Sequence, residues 1–304
     1  MPASPTATAH HIKDVNTRYH DVAADGYDSK WGIDFGDVGQ RQVQAKLAKA
    51  LGRSPERFAN ALEIGAGTGY FTLNLLQMGL IDKATATDIS GGMLGTLAST
   101  AERLGLEVRA EKAEAEDLPF ADRSFDLVFG HAVLHHIPDP NRAFAEFNRV
   151  LRPGGVIAFC GEPSRYGDRL AALPKEAGGR LAPAWRRVLG ADDRAPEAPS
   201  TSNGHALEHE VDVHAFSPAD LRRLLRDAGF EERRVSGEEL LANAWGSGLR
   251  SLEATASPET VPLTWKRFAF RSYLLLQRID SALLEPRLPA ELFYNLLLSG
   301  RKPI

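Results

Sequence analysis

A single cysteine, Cys160, stands in a chain of 304 residues. A disulfide within the chain needs two, so a disulfide-stapled secreted scaffold is excluded. The chain also lacks an excess of one charge: 36 Lys and Arg against 40 Asp and Glu leave −4. That excludes a global basic field for nucleic acid and leaves local basic patches open. No uninterrupted apolar run approaches the ~18 residues of a membrane span, so no transmembrane segment is expected. The opening, Met1 to His10, has neither the basic nor the apolar part of a signal peptide. These absences predict a soluble, cytoplasmic protein. What is present is ordinary: 43% hydrophobic and 25% charged residues, over a length that suits one large domain or two small ones. Such a chain buries a full core without disulfides or metals.

The first ten residues are rich in Pro, Thr and Ala and read as a disordered tail. From about His11 to Leu51 the chain reads helical, with Val43, Leu47 and Leu51 on one face. Residues 11–58 are assigned to this N-terminal helical segment, and 59–304 to the main domain. A regular alternation follows. Runs at Ala61–Ile64, Lys83–Asp88, Leu106–Ala110, Phe125–Phe129 and Val156–Cys160 read as strands. Helices are expected at Tyr70–Met78, Gly92–Leu104 and Asn141–Leu151. This alternation predicts an α/β fold, a mostly parallel sheet covered by helices on both faces. After Cys160 the rhythm breaks. The stretch Gly161–Phe216 is rich in Pro, Gly and Arg and too long for an ordinary connection. Ser217-Pro218 then opens a helix running to Ala228, with an N-cap and a proline at its first position. Phe230–Val235 and Leu292–Ser299 read as the last strands, around a second insertion at about 243–290 with a helix near Trp265–Leu284.

The segment Glu63-Ile-Gly65-Ala-Gly67-Thr-Gly69-Tyr70 lies where the first strand meets the first helix. Glycines there let the backbone turn tightly and approach a ligand, and the helix end presents free N–H groups. Tyr70 stands where a dinucleotide-binding loop has its third glycine, which argues against a pyrophosphate. Asp88 ends the second strand, 19 residues after Gly69. A carboxylate there can accept two hydrogen bonds from a ribose diol, or it can cap the following helix.

With four further segments, these residues resemble the class I S-adenosylmethionine-dependent methyltransferases, in the branch of quinone-biosynthesis and natural-product enzymes. The segments are Glu114-Ala115-Glu116-Asp117-Leu118-Pro119-Phe120, Ser124-Phe125-Asp126-Leu127-Val128, His131-Ala-Val-Leu-His135-His136-Ile-Pro138-Asp139 and Leu151-Arg152-Pro153-Gly154-Gly155. The resemblance implies a Rossmann-like, mostly parallel seven-stranded sheet with two helical insertions, at 161–216 and 243–290, that cap the substrate. It implies S-adenosylmethionine as cofactor and S-adenosylhomocysteine as product. Gly65, Ala66, Gly67 and Gly69, with Glu63 at the head of the loop, would line the methionine part. Asp88 would hold the ribose, with Ile89 and Met93 near the adenine. Glu114 and Ala115 would face the adenine amine, and Gly130 and His131 would pass beside the sulfonium. Tyr19 and Tyr27 resemble lid tyrosines of the N-terminal segment.

Methyl transfer is an in-line displacement, so positioning in a dry pocket is the main task. A hydroxyl acceptor must also lose a proton, which histidine takes at neutral pH. His135 and His136 are the candidates for that role, with Glu162 as an orienting carboxylate; packing of the following helix is the other reading of His136. Some sugar O-methyltransferases of natural-product pathways have a similar His-His-x-Pro-Asp segment. His205, His209 and His214 form a second cluster, read as a solvated loop, a metal pair or a histidine folding over the site; no metal is assigned. The span Thr264–Ala290 carries five basic and two acidic residues among apolar ones. That pattern suits packing within the chain, a cap over an apolar substrate, or peripheral contact with an anionic membrane. The expected function is methyl transfer to a small molecule, at a hydroxyl oxygen of a natural product, sugar, quinone or lipid-like acceptor. Carbon or nitrogen methylation, a non-catalytic binding protein and an NAD(P)-dependent oxidoreductase are the alternatives. A nucleic-acid substrate is not expected.

Overall fold

The computed structural model describes residues 5–24, 27, 33–194 and 214–304. Two helices come first, α1 (Pro5–Ala23) and α2 (Asp37–Leu51). Strand and helix then alternate: β1 (Phe58–Ile64), α3 (Tyr70–Gln77), β2 (Ile81–Asp88), α4 (Gly91–Leu104), β3 (Arg109–Lys112), β4 (Phe125–His131), α5 (Pro140–Val150) and β5 (Leu151–Pro163). The chain continues through α6 (Arg165–Leu189), α7 (Pro218–Asp227), β6 (Glu231–Glu238), α8 (Leu241–Glu253), α9 (Leu263–Ile279) and β7 (Asn295–Arg301). The strands form one sheet in the order β3-β2-β1-β4-β5-β7-β6. β1 pairs in parallel with β2 and β4, β2 with β3, and β4 with β5. The Rossmann-like α/β sheet read from the sequence is the one the chain builds.

Burial explains the strand sequences. Ala61–Ile64 of β1 and Ala84–Asp88 of β2 are buried residue after residue, because both faces of a parallel sheet are covered. α5 shows how a helix is specified. Asp139 caps it by accepting the Arg142 N–H at 3.1 Å, Pro140 supplies the first-turn backbone angle, and Ala143, Phe144, Phe147 and Val150 form its buried face. Phe147 and Phe159 of β5 stack with centroids 5.2 Å apart. α7 opens on a full capping box between Ser217 and Asp220.

Several boundaries differ from the sequence reading. α1 begins at Pro5, inside the segment read as disordered. β3 starts at Arg109 rather than Leu106, because Leu106 still completes the turn that ends α4, donating its N–H to Ala101 O at 2.9 Å. β7 starts at Asn295, after a short 3-10 turn at Ala290–Leu292 that follows Pro289. The first insertion is dominated by α6, a 25-residue helix capped by Ser164 and ended by Gly190, with Pro174 and Pro183 inside it. Those prolines made the stretch look irregular. The second insertion holds two long helices, α8 and α9, where one was expected.

The chain divides into two compact units. The first comprises residues through Glu162, 202–235 and 297–304; the second comprises 163–201 and 236–296. Within the second unit α8 packs along α6, and a Cβ on Gly178 would stand 2.5 Å from Gly248 O, so only glycine permits that approach. Asp280, fully buried, accepts the Leu241 and Ala242 N–H groups at 3.0 and 2.9 Å and closes the start of α8. No helix of the described residues is long and apolar enough to cross a membrane.

In the first unit Glu63 is buried at 2% exposure, and its carboxyl accepts both the N–H and the hydroxyl of Thr72, pinning β1 to α3. Burial pushes the Glu63 carboxyl up to about 8 from an ordinary 4.5. The folded chain therefore keeps a proton that the unfolded chain releases across that interval, and stability falls as pH rises from about 4.5 to 8. Denaturant midpoints measured at pH 5 and pH 9 should differ less in Glu63→Gln, which is neutral throughout, than in the wild type. An equal pH dependence in the two proteins would show that Glu63 does not carry it.

Candidate active site

The loops after β1, β2 and β4 meet at one cavity in the first unit. Gly65 and Gly67 adopt φ of +61° and +54°, where a side chain is strained. A Cβ on Gly65 would lie 2.2 Å from Val133 Cγ2, so the glycine lets the loop after β4 close against the loop after β1. Asp88 holds this arrangement. Its Oδ2 accepts the Gly67 N–H at 2.9 Å and its Oδ1 accepts the Ser90 N–H at 2.8 Å. Burial pushes the Asp88 carboxyl above its ordinary range, and these two N–H groups and the nearby His20 act in the opposite direction.

Of the residues singled out by sequence, Gly65, Gly67, Asp88, Ile89, Met93 and Ala115 line the cavity. Tyr27, His131 and His136 line it as well. Others stand behind it. Tyr19 packs on Val15 and meets the edge of the His20 ring. Glu63 is committed to Thr72, and Ala66 belongs to a core cluster with Ala86 and Leu97. Gly69 caps α3, and Gly130 is pressed against Ile64 O and the Phe159 ring. The Glu114 side chain is 49% exposed and accepts from Lys13 at 2.6 Å; Glu116, two residues on, lines the cavity in its place.

Among the lining residues that were not singled out from the sequence are Lys13, Asn16 and His20 of α1, Glu116 and Val133. Positions 13, 16 and 20 fall on one face of a helix, and that polar stripe was the available signal. α1 is fastened there by Asp21, which accepts the Ser90 hydroxyl at 2.5 Å and the Gly92 N–H at 3.0 Å.

The loop after β4 is built around Glu162, which is fully buried. Its Oε1 accepts the Val133 and Leu134 N–H groups at 3.0 and 3.1 Å. Its Oε2 accepts the His135 N–H at 3.2 Å and lies 2.9 Å from His135 Nδ1, which donates to the carboxylate in the tautomer this pairing requires. His135 does not line the cavity; its ring lies 3.9 Å from that of His136, centroid to centroid, and His136 does. The ring of His20 stands 5.7 Å from that of His136 on another side. His131 stacks on Phe71 at 4.9 Å. Gly161, at φ +73°, has no room for a side chain, since a Cβ would come 2.7 Å from His131 Nε2. The acid of this loop is therefore supplied by Glu162.

Of the second histidine cluster, His205 and His209 lie outside the described residues. His214 donates its backbone N–H to His135 O at 3.1 Å, so it joins the same loop. Among the described residues no group of three or more His, Cys, Asp or Glu could hold a metal ion.

Comparison with known proteins places this geometry. Residues 62–159 match the family model described as a methyltransferase domain. A malonyl-[acyl-carrier protein] O-methyltransferase of Methylococcus capsulatus is 34% identical over 67% of this chain and 72% of its own length. A demethylmenaquinone methyltransferase of Roseiflexus castenholzii is 32% identical over 69% of this chain and 82% of its own. A phosphoethanolamine N-methyltransferase 2 of Haemonchus contortus, solved with S-adenosylhomocysteine, shares the fold with a TM-score of 0.59 at 18% identity, over 96% of this chain and 60% of that one. The residues here suit that family's cofactor. The cavity offers a carboxylate for a ribose diol in Asp88, glycine backbone in Gly65 and Gly67, and the buried Asn16 amide, whose Nδ2 and Oδ1 both lack a hydrogen-bond partner among the described residues. The chain belongs to the class I S-adenosylmethionine-dependent methyltransferases, and S-adenosylmethionine is its cofactor.

Proposed function

We propose that this enzyme methylates an oxygen of a small-molecule acceptor and that His136 takes the acceptor's proton. One observation carries the reading: three imidazoles, His20, His131 and His136, line the same cavity as Gly65, Gly67 and Asp88. The name of the relative from Methylococcus capsulatus, an O-methyltransferase, supports oxygen as the acceptor atom.

The cofactor supplies an electrophilic methyl group when bound. The chain's own residues do the rest. Asp88 accepts hydrogen bonds from a ribose, and the glycine loop gives backbone approach. α1 covers the cavity with Asn16 and His20 and keeps water from it. His136 receives the proton of the acceptor hydroxyl. His135 and Glu162 are positioning residues: the carboxylate holds three backbone N–H groups and one ring, which fixes the imidazole that packs on His136. The acceptor is apolar or lipid-like in this reading.

Asp88→Ala should weaken binding of S-adenosylhomocysteine at least about tenfold in calorimetry, since two hydrogen bonds to a charged acceptor are lost. Unchanged affinity in a folded variant would remove Asp88 from the site. His136→Ala should bind S-adenosylhomocysteine as the wild type does. It should transfer labelled methyl to a small-molecule extract about 10²–10⁴-fold more slowly, with a residual rate that climbs with pH as hydroxide replaces the base. Near wild-type transfer by His136→Ala, flat in pH, would refute the proton-acceptor role and leave proximity as the sole source of rate.

A further inference from the structure

We propose that Asn16, on α1, reads the adenine ring of the bound cofactor and so makes α1 part of the nucleoside site. The proposal rests on the cofactor assignment above. Asn16 is 1% exposed and lines the cavity, and among the described residues neither its Nδ2 nor its Oδ1 has a hydrogen-bond partner. Leaving a buried amide unpaired is costly, so such a group calls for a ligand or a specific structural reason.

Its place on the helix says which part of the ligand it meets. One turn earlier, Lys13 binds Glu114 at 2.6 Å and Glu116 at 3.2 Å, which holds this face of α1 against the segment after β3. One turn later, His20 stands beside Asp88 and 5.7 Å from the His136 ring. Asn16 thus lies on α1 between Lys13, bound to the segment after β3, and His20, beside Asp88. That part of the cavity carries Ile89, Met93 and Ala115, apolar side chains that suit the two faces of a flat ring. Lys13 and Glu116 there already satisfy each other. The amide brings to this part of the cavity a donor and an acceptor that have no hydrogen-bond partner among the described residues.

A carboxamide presents an N–H donor and a carbonyl acceptor side by side. Adenine presents the complement, an exocyclic amine beside a ring nitrogen, and asparagine reads that pair in two bonds elsewhere in biology. Here Oδ1 would accept from the amine and Nδ2 would donate to the ring nitrogen. The cost of burying the amide in the empty protein is then offset only when the nucleoside is present, and this couples the seating of α1 to cofactor binding.

The test pairs a variant with a ligand lacking the amine. Calorimetry would compare S-adenosylhomocysteine with its purine-riboside counterpart, in the wild type and in Asn16→Leu, a replacement of similar size. The wild type should prefer the adenine ligand roughly tenfold, and Asn16→Leu should bind both equally, so that the two losses are not additive. Without ligand, Asn16→Leu should melt at or above the wild-type temperature, because an unpaired buried amide has been removed. Asn16→Ala repeats the ligand comparison with less bulk. Retention of the preference in either variant overturns the proposal. So does an Asn16→Leu protein that melts lower and binds S-adenosylhomocysteine unchanged, since the amide is then a fold-stabilising group. A wild type that binds neither ligand contradicts the cofactor assignment itself, and the proposal with it.

Discussion

The carboxylate of Asp88 ties together the turns that make the cavity. It takes the Gly67 N–H on one oxygen and the Ser90 N–H on the other, so the loop after β1 and the start of α4 are set against a single buried anion. Ser90 extends the tie through its hydroxyl, which donates to Asp21 on α1. Three stretches distant in sequence are registered at one corner of the fold. An anion buried at 9% exposure is costly unless donors surround it, and burial here outweighs the donors present. Further donors from a diol would favour the charged form, which gives the site a physical reason to bind a ribose.

A second buried carboxyl organises the loop after β4. Glu162 gathers the backbone N–H groups of Val133, Leu134 and His135 into one carboxylate. The chain just before them is under strain: Ala132 adopts φ +52°, a conformation that costs a residue bearing a Cβ, and its N–H is held by Cys160 O at 2.8 Å. Each carboxyl organises a different part of the cavity: Asp88 the turns after β1 and β2, Glu162 the loop after β4 that carries His135 and His136. Both lie at the carboxyl ends of parallel strands, where the open sheet leaves a crevice.

Much of this was legible in the sequence because it is local. The glycine loop, Asp88 and the caps at Asp139 and Ser217 are signalled by residues within a few positions of each other, and the strand alternation follows from burial on both faces. The sheet order follows from the family those motifs resemble. What stayed illegible depends on long-range packing. Glu114 and Glu116 are equivalent by composition, and Lys13, 101 residues from Glu114, reaches both, yet one is half exposed and the other lines the cavity. The Lys13, Asn16 and His20 face of α1 is polar, so no apolar period marked it as the side turned inward. His135 and His136 are neighbours in sequence, yet the carboxylate of Glu162 draws one into the wall and leaves the other on the cavity. Pro174 and Pro183 concealed α6, because proline content argues against the helix they occupy.

Amide hydrogen exchange with and without S-adenosylhomocysteine decides whether the cavity closed by α1 and framed by Asp88 and the loop that Glu162 holds binds the cofactor. Added protection is expected at residues 65–69, 88–93, 113–116 and 131–136 together with α1, with the helices of the second unit unchanged. Protection confined to other segments, or protection at the glycine loop with α1 unaffected, would contradict binding there.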